Sequence, residues 1–207
     1  MAVPYQKLEI RKYPGVIQKQ TAETNFWKSF KFPVHIKHFA GVSCIHFSES
    51  DPFDYAVTSS TRVQIYSTRT NEVKRTISRF KDVAYSGVLR DDGKLMVAGG
   101  ERPVVQVFEL SSRAVLRSLR GHKGAIRRVA FGPGRTTVYS VSDDQSARIF
   151  DVGQGEAVGC MLGHEDYVRG LHVGSSSTPL FCTGGYDHKV RLWDRGQINL
   201  DGSESAC

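Results

Sequence analysis

Residues 121–151, GHKGAIRRVAFGPGRTTVYSVSDDQSARIFD, decide the fold. The stretch opens on Gly121-His122 and closes on Phe150-Asp151. Between these ends lie three apolar runs, Ile126 to Phe131, Val138 to Val141 and Ala147 to Phe150, each of strand length and too short for a helix. Gly132-Pro133-Gly134 separates the first pair, because proline fixes one backbone dihedral and glycine tolerates a positive one. Asp143-Asp144-Gln145 separates the second.

A second copy follows at once, from Gly163-His164 to Trp193-Asp194, with the same Asp before its last strand. The period extends backwards as well: Tyr66, Phe108, Phe150 and Trp193 each end a strand-like run and stand 42, 42 and 43 residues apart. Such a period, with Gly-His and Trp-Asp signatures, resembles the WD40 family, in which each repeat forms one four-stranded blade of a β-propeller.

The resemblance implies an all-β propeller with about four blades in this chain, at 34–77, 78–119, 120–162 and 163–194. Strands are expected at Val42 to Phe47, Tyr55 to Thr58, Arg62 to Tyr66 and Val73 to Ile77 in the first repeat. In the second they are expected at Tyr85 to Leu89, Leu95 to Ala98, Val104 to Phe108 and Val115 to Leu119. The first two repeats lack the Gly-His turn, reading Phe39-Ala40-Gly41 and Lys81-Asp82 at that place, so apolar packing is expected to hold them. After Asp194 the pattern fails: the tail 195–207, RGQINLDGSESAC, is polar and read as disordered, and the fourth blade has no fourth strand. An unclosed array exposes strand edges. The expectation is therefore an incomplete propeller, part of a parent with more repeats; a resemblance to one WD40 subfamily implies seven blades in that parent.

In this family a His before the first strand bonds an Asp in the turn between the second and third strands, and a Ser or Thr and a Trp extend the network. Carried over, the third blade would use His122, Ser140 and Asp144, with Phe150 where the Trp belongs. The fourth would use His164, Thr183, Asp187 and Trp193. Phenylalanine has no N–H, so the third network is expected to stop one member short. A His-Asp-Ser set also suggests a catalytic triad. Its recurrence once per repeat, and the absence of a G-x-S-x-G elbow, favour a structural role instead.

Composition excludes several classes. Hydrophobic residues at 40% and charged residues at 24% are ordinary for a globular protein and argue against disorder. No apolar run reaches 18 residues, and the N-terminus lacks the apolar core of a secretory signal, so no membrane role is expected. Cys44, Cys160, Cys182 and Cys207 form no Cys-x-x-Cys pair, and no His stands at zinc-ligand spacing, so neither a metal nor another cofactor is indicated. No phosphate loop or unique acid–base pair points to an enzyme.

The leader, residues 1–33, carries a candidate blade-closing strand from Lys7 to Tyr13. Residues 1–40 hold seven basic side chains against Glu9 and Glu23, which is five of the chain's seven net positive charges. Interleaved aromatics make Arg11, Lys12, Lys28 and Lys31 candidate contacts to RNA or to a partner protein. The same residues read equally well as a solvated strand and linker.

Three segments carry a narrower resemblance: FWKSFKFPVHIKHFAGVSCIHFS, YAVTSSTRVQIY and SRFKDVAYSGVLRDDGKLMVAGGERPVVQVFEL. They look like the amino-terminal blades of a WD40 subunit of the small-subunit processome, among the U3 small nucleolar RNA-associated proteins. That implies a non-catalytic scaffold in the nucleolus of the nucleus, acting in pre-ribosomal RNA (18S) processing and ribosome biogenesis. Its partners would be other processome WD40 subunits, and U3 small nucleolar RNA and pre-ribosomal RNA, directly or through those subunits. The alternative is a generic WD40 adaptor, such as a ubiquitin-ligase substrate receptor, which shares every blade signature but needs neither the basic leader nor the SRFKD stretch.

Overall fold

The computed structural model describes residues 21–29, 34–174 and 180–194. The chain divides into two units, residues 1–37 and 38–207. In the first, α1 (Ala22–Ser29) is one short helix. Thr21 caps it: its Oγ1 accepts from the Thr24 amide at 3.2 Å, and Thr24 Oγ1 accepts from the Thr21 amide at 2.8 Å. Glu23 in the first turn and Lys28 in the last complement the helix dipole. The sequence reading expects a polar stretch here and no helix, because eight residues are too few for a helical period to be told from a loop. The blade-closing strand expected at Lys7 to Tyr13, and the tail 195–207, lie outside the described residues.

The second unit is four antiparallel sheets, each built from consecutive strands. The first holds β1 (Val42–Phe47), β2 (Tyr55–Ser59), β3 (Arg62–Tyr66) and β4 (Val73–Ile77). The second holds β5 (Ala84–Leu89), β6 (Leu95–Gly100), β7 (Val104–Glu109) and β8 (Val115–Arg120). The third holds β9 (Ile126–Phe131), β10 (Thr137–Ser142), β11 (Ala147–Asp151) and β12 (Ala157–Met161). Among the described residues the fourth has three strands, β13 (Val168–Val173), β14 (Leu180–Gly185) and β15 (Val190–Asp194). Every strand expected from the apolar runs is present, within two residues at each end.

The sheets stack face to face in chain order, and the two-residue period of a strand explains how. On β6, Met96 and Ala98 join Ala56, Val63, Ile65 and Ile77 of the first sheet. Their neighbours Leu95 and Val97 point the other way, to Ile126, Val129, Val138 and Phe150 of the third. A third cluster joins Tyr139, Val141 and Ile149 to Val168 and Phe181 of the fourth. A strand packed on both faces is buried along its length: β6 is apolar or glycine throughout, whereas β10 also buries Thr137, Ser140 and Ser142 among its apolar residues.

The first strands, β1, β5, β9 and β13, lie side by side. Each is bulged near its start, where pairing with the next strand slips between Val42 and Cys44, Ala84 and Ser86, and Val168 and Gly170. In the third sheet the slip leaves Arg127 unpaired between Ile126 and Arg128. Cross-sheet bonds tie these strands together: Ser43 Oγ donates to the Ala84 carbonyl at 3.2 Å, and the Val129 amide donates to Ser86 Oγ at 3.3 Å. Arg128 reaches further, donating from Nη1 to the carbonyls of Ser43 at 3.2 Å and Tyr85 at 3.4 Å. One guanidinium therefore links the innermost strands of three sheets.

Candidate functional site

The residues carried over from the family motif come together in both blades. In the third, His122 lies on the β8–β9 connection and Asp144 in the β10–β11 turn, with Nδ1 and Oδ2 2.8 Å apart. Nε2 stands 2.7 Å from Ser140 Oγ on β10. The partners fix the tautomer: Nδ1–H donates to the carboxylate, and Nε2 accepts the hydroxyl proton. In the fourth, His164 Nδ1 stands 2.9 Å from Asp187 Oδ2, and Nε2 stands 2.8 Å from Thr183 Oγ1. Trp193 Nε1–H donates to the same Thr183 oxygen at 2.9 Å. Phe150 replaces that donor in the third blade and meets His122 edge-on, with ring centroids 6.2 Å apart.

Each carboxylate also holds backbone. Asp144 accepts from the amides of Lys123 at 2.8 Å and Ser146 at 3.0 Å, and Asp187 from those of Lys189 at 3.2 Å and Glu165 at 3.4 Å. Burial alone would raise both acids. The His122 contact and the Ser146 and Lys123 donors outweigh it and hold Asp144 well below the usual carboxylate range. The matching bonds from His164 and the amides of Lys189 and Glu165 hold Asp187 at about 2. Both histidines have both ring nitrogens engaged and lie 6% exposed, with Ser140 fully buried. The arrangement locks a connection onto a turn, and leaves no hydroxyl facing solvent for attack on a substrate.

Sequence reasoning missed several members. Ser146 Oγ donates to Asp144 Oδ1 at 2.6 Å. Arg191 donates to Asp187 Oδ2 at 2.9 Å and also to the Gly163 carbonyl. Gly163, at φ +148°, and Gly121, at φ +147°, hold a backbone conformation that a side chain would strain, and each lies against an arginine, Arg191 and Arg148. The signal was present, since Arg148 and Arg191 are 43 residues apart.

The first two blades need a correction. The residues at the histidine position are His38 and Phe80, not the Phe39-Ala40-Gly41 and Lys81-Asp82 read there. His38 meets Tyr66 edge-on at 5.8 Å, and Phe80 packs on Phe108 at 5.2 Å, as His122 does on Phe150. The 42-residue period places both residues; the missing Gly-His pair obscured them. In the second blade Ala98 stands where Ser140 stands in the third, and Arg102 stands in place of Asp144 and pairs with Asp82 at 2.7 Å. The polar network has thus been exchanged for an apolar one, as expected for a blade held by packing.

Bulge residues of successive blades form a second cluster. Arg127 Nε donates to Asp143 at 2.8 Å and its guanidinium lies 4.2 Å from the Tyr85 ring centre. Arg169 approaches the same carboxylate at 3.3 Å and stacks over Tyr186 at 4.9 Å and Tyr167 at 5.5 Å. Of the leader residues singled out, Lys28 is exposed on α1. Arg11, Lys12 and Lys31 lie outside the described residues.

Comparison with known proteins accords with this geometry. The model of the family "WD domain, G-beta repeat" matches residues 113–151 and 155–194. The chain is 43% identical over 190 residues to the U3 small nucleolar RNA-associated protein 15 homolog of Xenopus laevis, covering 92% of this chain and 37% of the relative. It is 44% identical over 170 residues to U3 small nucleolar RNA-associated protein 15 of Schizosaccharomyces pombe, covering 82% and 34%. With the Saccharomyces cerevisiae protein of the same name it shares 35% over 197 residues, covering 94% and 38%. The chain thus spans a little over a third of the length of these relatives. Among solved structures, one titled "Structure of U3-55K" superposes with a TM-score of 0.70 at 23% identity, over 77% of this chain and 50% of that one, a likeness of fold.

Proposed function

We propose, for a chain that carries WD40 repeats and is homologous across most of its length to U3 small nucleolar RNA-associated protein 15, a role as a non-catalytic scaffold in ribosome biogenesis. It acts within the nucleolar small-subunit processome, in pre-ribosomal RNA processing. The single observation that carries this is identity of 35–44% over at least 82% of the chain to relatives from yeasts and a frog that share one name. The blade networks support the scaffold part. His122, Ser140 and Asp144, like His164, Thr183 and Asp187, hold loops to turns with no group left over for chemistry. Partners are other WD40 subunits of the assembly and, directly or through them, U3 and pre-ribosomal RNA. The basic leader, including Arg11, Lys12, Lys28 and Lys31, contributes contacts to RNA or to those subunits.

The test is a pull-down of the tagged full-length protein from cells. Recovery of U3 RNA with further WD40 subunits is expected. Recovery of cullin-type ligase components without nucleolar RNA would replace the reading with the adaptor alternative.

A further inference from the structure

We propose that the outer edge of the second sheet, continued onto the chain connections at either side, is a track for the phosphodiester backbone of single-stranded RNA. The inference rests on the ribosome-biogenesis reading and adds to it a surface distinct from the leader.

Charge on the described blades is unevenly paired. Asp54, Asp82, Asp91, Asp92, Asp143 and Asp187 each hold a lysine or arginine. Several of the unpaired cations adjoin one edge: Arg79, Lys81, Arg113, Arg117, Arg120 and Lys123 are all exposed, and none forms an ion pair among the described residues. Arg113, Arg117 and Arg120 lie on or beside β8, the outermost strand of its sheet, where only Leu119 is buried. At about 3.3 Å per residue Arg117 and Arg120 stand roughly 10 Å apart along the edge and project to its two faces, while Arg113, in a left-handed turn conformation two residues before β8, extends the line, a course that a flexible sugar-phosphate chain can follow.

The other cations adjoin this edge. Arg120 pairs in register with Val104, and Val104 lines the same cleft as Lys81, so the β4–β5 connection meets the top of the strand. Lys123 continues the line on the β8–β9 connection. Arg117 lies against Gly155 in the β11–β12 connection of the third blade, its Cδ 3.7 Å from where a Cβ would stand, which sets it at the seam between two blades. Guanidinium forks match phosphate oxygens in a plane, and unpaired cations release counterions from a polyanion on contact. An acidic protein partner fits less well. The apolar side chains exposed on β8 are Val115 and Leu116, and the edge has no aromatic anchor to form a desolvated interface centre.

The experiment measures fluorescence anisotropy of a labelled oligouridylate with the 207-residue chain across a salt series. Wild type should bind with a log–log salt slope that falls by about 2 in R113E/R117E/R120E, at about 0.7 per lost phosphate contact on a single strand. Affinity at low salt should drop by about tenfold or more. R113Q/R117Q/R120Q, which keeps side-chain bulk, should show the same direction and guards against misfolding. The control R69E/R135E/K189E, with the same charge change at paired sites, should lose much less. Unchanged affinity and slope in both triple variants would overturn the track, as would equal losses in the control. Retained oligouridylate binding with lost binding to polyglutamate would assign the edge to an acidic protein instead. Failure of the underlying reading looks different: the full-length protein would then recover no U3 RNA from cells whatever the variant.

Discussion

Replacing Asp144 by Ala tests whether the His–Asp sets are structural, and the third blade allows the cost to be worked out. The carboxylate accepts from His122 Nδ1, the Lys123 amide, the Ser146 amide and Ser146 Oγ. Lys123 is exposed, and its amide can return to water. His122 has a side chain 0% exposed, and Ser146 is 2% exposed, so the ring N–H and the serine hydroxyl lose the carboxylate where water cannot replace it, and the ring N–H keeps only the more distant Ser146 Oγ at 3.2 Å. Two buried groups at about 1–3 kcal/mol each give a loss of about 2–6 kcal/mol, centred near 4. Urea denaturation followed by circular dichroism would register this as a midpoint lower by about 2 M, for an m-value on the order of 2 kcal/mol/M. The second blade supplies a sharper control, because it already carries the apolar version, Phe80 and Ala98. The triple variant H122F/S140A/D144A removes both sides of the His122 bonds, leaving the Ser146 hydroxyl as the one buried side-chain donor without its acceptor, and should cost less than D144A alone. A D144A chain within about 0.5 kcal/mol of wild type, or a triple variant less stable than the single, would refute the reasoning.

Three further outcomes are expected. Phe181→Ala empties the contact between the third and fourth sheets, where Phe181 is 2% exposed and packs on Tyr139 at 5.0 Å, and should cost about 3–5 kcal/mol by denaturation. Asp187 titrates at about 2 when folded against 3.8 unfolded, so its contribution is complete above pH 3.8 and is lost as pH falls towards 2; Asp187→Asn should flatten the pH dependence of stability in that window. Burial lowers the pKa of His46, outweighing Asp91 and Glu49, so stability should fall as pH drops below 6.5, and His46→Gln should remove that part of the slope measured by thermal melts at pH 5 to 7.

Much of this was legible because each strand spans five or six residues and each is bounded by a turn former, so periodicity fixed the strands to within two residues. The His122 and His164 sets were legible for a different reason: their members recur at one spacing with one chemistry. The first two blades show where that reading weakens. Phe80 does the packing work of a histidine, but a motif defined by hydrogen bonding cannot see an aromatic that fills the same space. Arg127 and Arg169 stand one 42-residue period apart, yet their meeting at Asp143 was not legible. Their meeting depends on bulges that turn one residue per inner strand out of the ladder, and on which carboxylate of Asp143-Asp144 faces which neighbour. The spacing marks the arginines as equivalent positions but shows neither the bulge nor the choice of carboxylate.

The Arg128 spoke has a consequence for the order in which the chain assembles. Each sheet is a meander of consecutive strands, so its pairings close short loops and can form as soon as its own strands are available. Ser43 and Arg128 are 85 residues apart, and their bond requires the inner strands of the first three sheets to be already side by side. During synthesis the first and second blades can therefore pack before this residue has been made. Its arrival adds a bond from the third blade to a carbonyl of each earlier one, so the third blade fastens the two already packed sheets together at their inner strands.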